Sequence, residues 1–142
     1  MNKMCELTIS FFEKFSSLSS LFFRLILAYG FYEPAMKKLG NIEATAQWFD
    51  SMNFIYPIAM AWAAGLTEGF GVILLFFGLA TRFISIPLMF VMVVAITTVH
   101  WDAGFNTSGG YEIPVYYFLM LFSLFARGAG CFSLDAYFCK KY

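Results

Sequence analysis

Residues 83–99, FISIPLMFVMVVAITTV, contain no charged side chain. A run of this kind matches what lipid asks of a helix, about 20 mainly apolar residues to cross about 30 Å of hydrocarbon. Composition removes the other option, burial in a water-soluble core. Of 142 residues, 61% are hydrophobic and 13% charged, against about 45–50% and about 25% in soluble domains. A chain this short must leave much of its surface facing solvent, so its own core cannot absorb the excess. The fold class is therefore all-α, a four-helix transmembrane bundle forming one domain over residues 1–142. Its spans lie at about 18–36, 56–79, 83–99 and 111–126.

The formal net charge is zero, which gives no electrostatic footprint for nucleic acid. The N-terminus carries Glu6 and Glu13 and lacks a long apolar core or an A-x-A-like site, unlike a cleaved signal peptide. Phe11, Phe12, Phe15 and Leu18 recur at helical spacing, which predicts a short interfacial helix leading into the first span. Between spans one and two, Ile42, Ala46, Phe49 and Asn53 fall a turn apart. Residues 41–53 read as a short helix on the membrane surface, capped by Asn41.

Orientation follows from Lys and Arg in short loops. One side holds Lys3, Lys14, Arg82, Arg127, Lys140 and Lys141, and the other only Lys37 and Lys38. Both termini are expected in the cytoplasm and the chain in the cell inner membrane. Cys5, Cys131 and Cys139 then lie where thiols stay reduced, and none forms a C-x-x-C pair.

Polar residues inside spans are costly and mark function or internal packing. Glu68 shares a face with Ala61, Ala64, Gly65 and Gly71, so it should sit in a tight seam between helices. Arg24 on span one is a plausible partner, and structural pairing and a functional role are equally open. On span four, Glu112, Tyr116, Met120, Ser123 and Arg127 form one stripe, expected to line the interior. Pro34 biases Glu33 away from helical geometry. His100, Asp102, Glu112 and Glu33 could meet at the outer mouth, as a divalent-metal site or an acid–base pair. The alternative is an interfacial rim, since Trp101, Phe105 and Tyr111 look like an aromatic belt.

Six pieces in order resemble the DoxX family of small four-helix membrane proteins. They are FFRLILAYGFYEPAMKKLG, TAQWFDSMNF, AAGLTEGFGVILLFFGLATR, VMVVAITTVHW, GGYEIPVYYFLML and GAGCFSLDAY, the last with Gly128, Gly130, Ser133 and Asp135. Ala129 and Cys131 stand where the family motif usually has proline and arginine, and Arg127 is the nearby substitute cation. The third and fourth pieces look closest to the HvfX-like branch, associated with maturation or export of copper-binding peptides.

The resemblance implies an accessory membrane subunit, without catalysis of its own, that serves copper-peptide maturation or a redox complex through a protein partner. A second reading is a quinone-handling subunit of a membrane oxidoreductase, with Glu68, Tyr116 and Arg24 around a mid-membrane pocket. A small transporter using the span-four stripe is a third. Copper and quinone are the candidate cofactors, and the lipid bilayer is the certain neighbour.

Overall fold

The computed structural model describes residues 3–139, with side chains from Phe11 onward except Glu13, Lys14 and Cys139. The side chains of Lys3, Cys5, Lys14, Cys139, Lys140 and Lys141 lie outside that description. The described chain is all-helical: α1 Lys3–Gly40, α2 Ile42–Ser51, α3 Pro57–Phe77, α4 Thr81–Val94, α5 Glu112–Arg127 and α6 Leu134–Cys139. A π-helical turn, Ala95–His100, and a 3-10 turn, Trp101–Ala103, prolong α4.

Three stretches are long and apolar enough to cross a membrane: Phe15–Gly40, Pro57–Phe77 and Thr81–Ala103. With 16 residues, α5 reaches only about 24 Å at 1.5 Å per residue. The membrane character shows on the outside. Phe22, Ile26, Phe70, Ile73, Phe83 and Phe90 stand at least half exposed on these helices, an apolar surface far beyond what a soluble monomer presents.

Two expectations about α1 are corrected. No separate interfacial helix precedes the span, because α1 runs unbroken from Lys3. Pro34 is accommodated inside it, so Glu33 is helical and its angle to Arg24 is the regular one. The two residues face opposite ways: Arg24 is buried, while Glu33 is exposed and pairs with Lys37 at 2.6 Å. The penalty at Pro34 is one lost N–H bond to residue 30, and that position is a glycine whose missing side chain leaves room for the ring of Tyr117.

The core joins Leu27, Ala28 and Phe31 of α1 to Leu75 of α3, Leu88 and Met92 of α4, and Leu121 and Leu124 of α5. Gly71 admits Leu88 so closely that a Cβ there would lie 2.9 Å from it. The small face foreseen on α3 is real: Ala61, Gly65, Glu68, Gly71 and Leu75 are its buried residues. The helix α2 forms where expected, with the Asn41 side chain accepting from Ala44 N at 3.0 Å. Its Ala46 and Phe49 pack on Ala61.

The interior face of α5 differs from the polar stripe. Pro114, Leu121 and Leu124 are its buried residues, whereas Tyr116 is exposed. The apolar face outcompetes the polar one because Leu and Pro gain by packing on α1 and α4, while Tyr116 and Glu112 satisfy each other through a 2.8 Å hydrogen bond.

Candidate functional site

A cavity of about 570 Å³ opens among α1, α2, α3, the α4 extension and α5. Each wall follows from local sequence. From α1 come Gly30, Phe31, Pro34 and Lys38; from α2, Trp48 and Phe49; from α3, Ala63, Ala64, Thr67 and Glu68. The far wall holds Ala95, Thr98 and His100, then Gly109, Glu112 and Tyr117. Most of this lining is apolar, with a few polar groups converging on it, the usual make-up of a small-molecule site.

Lys38 and Glu68 are the charged pair in the wall. The Lys38 ammonium donates to both carboxylate oxygens, at 2.9 and 2.7 Å. The Glu68 side chain is 3% exposed and that of Lys38 18%. A buried carboxylate without a counter-ion costs several kcal/mol, so Lys38 is what allows a charge here. Its third N–H is free of Glu68. Arg24 is not the partner of Glu68. It sits about four turns before Lys38, near the middle of α1, where Nη1 reaches Leu75 O at 3.4 Å and Nη2 donates to Phe132 O.

Lys38 stood out in the sequence only as a loop cation and as part of the first DoxX-like piece, with no partner assigned to it. A signal was present. Arg24, Phe31 and Lys38 are spaced by seven, and the first two are buried, so Lys38 belongs to the inward face. Tyr117 was missed in favour of Tyr116. It follows Pro114 by three residues on the inward face, and its ring packs against Gly30.

His100 enters the cavity wall through an unusual backbone. The inward line of α4 is Thr81, Ser85, Leu88 and Met92, which in an α-helix would continue at Val99. The π turn Ala95–His100 takes up one extra residue, so His100 comes onto that line, with Thr98 and Val99 beside it in the wall. Hydroxyls of Thr97 and Thr98 satisfy carbonyls of Val93 and Val94 at 2.9 and 2.7 Å. The loop beyond is held by Trp101 stacked on Tyr111 at 5.6 Å and by Tyr111 N donating to Gly104 O at 3.1 Å. It presents Gly109 O to His100 Nδ1 at 2.6 Å.

The outer-mouth group foreseen from sequence assembles only in part. His100 and Glu112 both line the cavity, whereas Asp102 and Glu33 are exposed and do not. Among the described residues, no three His, Cys, Asp or Glu side chains are placed to hold a metal ion together. The cause for Glu33 is the regular helix through Pro34, which points it outward.

The C-terminal motif does different work. The Asp135 carboxylate accepts from Ala80 N at 2.7 Å and Thr81 N at 3.1 Å, capping the start of α4. Ser133 Oγ donates to Gly130 O and accepts from Ala136 N. Gly128 and Gly130 have φ of 86° and 79°, where a side chain is strained. Arg24 closes the same assembly. It packs so tightly on Gly78 that a Cβ there would meet Nη1 at 2.1 Å. Arg127 is exposed and donates to Ser16 Oγ at 3.2 Å.

Three membrane-length helices with a strongly apolar exterior define a membrane protein, and the cavity opens among them. The chain belongs to the DoxX family, whose model matches residues 19–101, more than half of its length. It is 33% identical over 132 residues to an uncharacterized protein of Haemophilus influenzae, covering 89% of this chain and 87% of that one. It is 30% identical over 125 residues to a Bacillus subtilis protein named "Putative oxidoreductase CatD", covering 87% and 89%. No solved structure matches.

Proposed function

We propose that this protein is the membrane subunit of a redox complex and holds a lipophilic quinone in the cavity beside Lys38 and Glu68. The observation that carries this reading is the cavity itself: about 570 Å³, largely apolar, with an ammonium, two carboxylates, a phenol and an imidazole in its wall. A quinone head group is a flat apolar ring with two carbonyl oxygens, and the free N–H of Lys38 is a donor for one of them. The relative named as an oxidoreductase supports a redox setting. Electrons would be exchanged with a protein partner, this chain supplying the quinone site and no catalysis alone.

In this reading α5 is the fourth span. It packs beside α1 and α4 and contributes Leu121 and Leu124 to their common core. The bundle lies in the inner membrane with both termini cytoplasmic, which puts His100 and Glu112 on the outer side. Support for copper-peptide maturation is confined to the sequence resemblance, since the candidate ligands do not converge.

The test is titration of detergent-purified protein with a short-tailed ubiquinone analogue, followed by quenching of tryptophan fluorescence. Trp48 lines the cavity, so saturable quenching should appear and should shrink in Trp48→Phe. Ala64→Phe, which fills the cavity, should abolish binding. Linear, non-saturating quenching equal in all three proteins would reject the proposal.

A further inference from the structure

Resting on the quinone reading, we infer that the site selects the reduced, hydroxyl-bearing form of its ligand, and that His100 Nε2 accepts the ligand's O–H. The tautomer is fixed by the backbone. A carbonyl oxygen only accepts, so the 2.6 Å contact between His100 Nδ1 and Gly109 O requires the proton on Nδ1. In neutral imidazole the other nitrogen then carries a lone pair and no proton. His100 is part of the cavity wall, so that lone pair is an acceptor available to the site.

Both oxygens of Glu68 receive the Lys38 ammonium and Glu112 Oε1 receives the Tyr116 hydroxyl, which leaves Glu112 Oε2 as the other carboxylate acceptor in the wall. The π turn is the positioning device. Were the same residues one unbroken α-helix, Val99 would take the inward line of Thr81, Ser85, Leu88 and Met92, and His100 would turn about 100° away. Two threonines cap the carbonyls that this turn disturbs, and the loop that supplies Gly109 O depends on Gly110. A Cβ on Gly110 would lie 2.4 Å from Gly104 O.

A hydroquinone offers two O–H donors, one for His100 Nε2; the oxidised quinone offers none and would leave Nε2 unpaired. His100 is half-buried, so the gain is that of a net hydrogen bond, about 0.5–1.5 kcal/mol, which is about 2- to 12-fold in affinity.

The experiment compares anaerobic binding of a short-tailed ubiquinol, the matching ubiquinone and the dimethyl ether of the quinol to the detergent-purified full chain. Wild type should bind the quinol at least about twofold more tightly than the quinone or the ether. His100→Phe should bind all three alike, at the wild-type affinity for quinone. Deletion of Thr97, which removes the extra residue and returns His100 to the inward line in an α register, should keep the quinol preference. Equal binding of quinol and ether by wild type, or a quinol preference that survives in His100→Phe, overturns the inference while the quinone site stands. No saturable binding of any of the three by wild type overturns both.

Discussion

Replacing Lys38 by methionine isolates the feature on which the cavity depends. Methionine keeps the stem that packs along α1 and removes the ammonium that Glu68 holds at 2.7 and 2.9 Å. The Glu68 side chain, 3% exposed, then loses its counter-ion. Breaking a buried pair in this way costs about 3–5 kcal/mol. The alternative is for Glu68 to take up a proton. From the reference glutamate value of about 4.3, at about 1.36 kcal/mol per pH unit, that costs about 4 kcal/mol at pH 7. The two routes agree, and a chain of this size should lose on the order of 10 °C in thermal midpoint. The proton route also fixes the pH dependence. The folded variant would bind a proton that the unfolded chain has released, so its stability falls as pH rises. At pH 5.5 the deficit should shrink to about 2 kcal/mol. The assay is thermal unfolding in detergent by tryptophan fluorescence, for wild type and variant at both pH values. The double variant Lys38→Met, Glu68→Leu should recover stability, because an apolar pair of similar volume replaces a buried ion pair at little or no cost. A single variant within about 1 kcal/mol of wild type at pH 7 would refute the idea that Glu68 is held charged in a dry wall.

Other substitutions probe separate parts of the molecule. Gly30→Ala puts a Cβ 2.0 Å from the Tyr117 hydroxyl and should cost about 1–3 kcal/mol, with Tyr117→Leu in the same chain restoring the melting temperature. Asp135→Ala removes the two hydrogen bonds that cap α4 and should cost about 1–2 kcal/mol. Limited proteolysis should then cut after Gly130 faster than in wild type while quinone affinity is unchanged. Gly78→Ala combines a φ of 66° with a Cβ 2.1 Å from Arg24 Nη1. It should prevent accumulation of folded protein in membranes, which size-exclusion of a fluorescent fusion would report.

The sequence carried the class of fold and the inward face of α3 because small residues at helical spacing have one explanation in lipid. Asn41 and the α2 face were legible for the same kind of reason, a cap followed by a clear apolar period. Side-chain polarity misled at α5, where the stripe through Tyr116 and Arg127 proved to be outside the packed face. Polar residues can pair with each other at a surface, as Glu112 and Tyr116 do; only competition with the Leu121 and Leu124 face settles the rotation. Glu33 was misplaced by the local bias of proline, which a long helix overrode. His100 could not be aimed from sequence at all, since nothing in AITTVH announces a π turn. The Glu68 partner required knowing that α1 continues past Pro34 and carries Lys38 alongside α3.

Photolabelling with an azido-quinone in native membranes, followed by peptide mapping, tests the quinone site most directly. Label should concentrate on cavity-lining peptides, around Trp48, Thr98 and Tyr117, and unlabelled ubiquinone should displace it. Label spread over the outward residues Phe22, Phe70 and Phe83, and unaffected by competitor, would show that quinone reaches this protein only as part of the lipid around it.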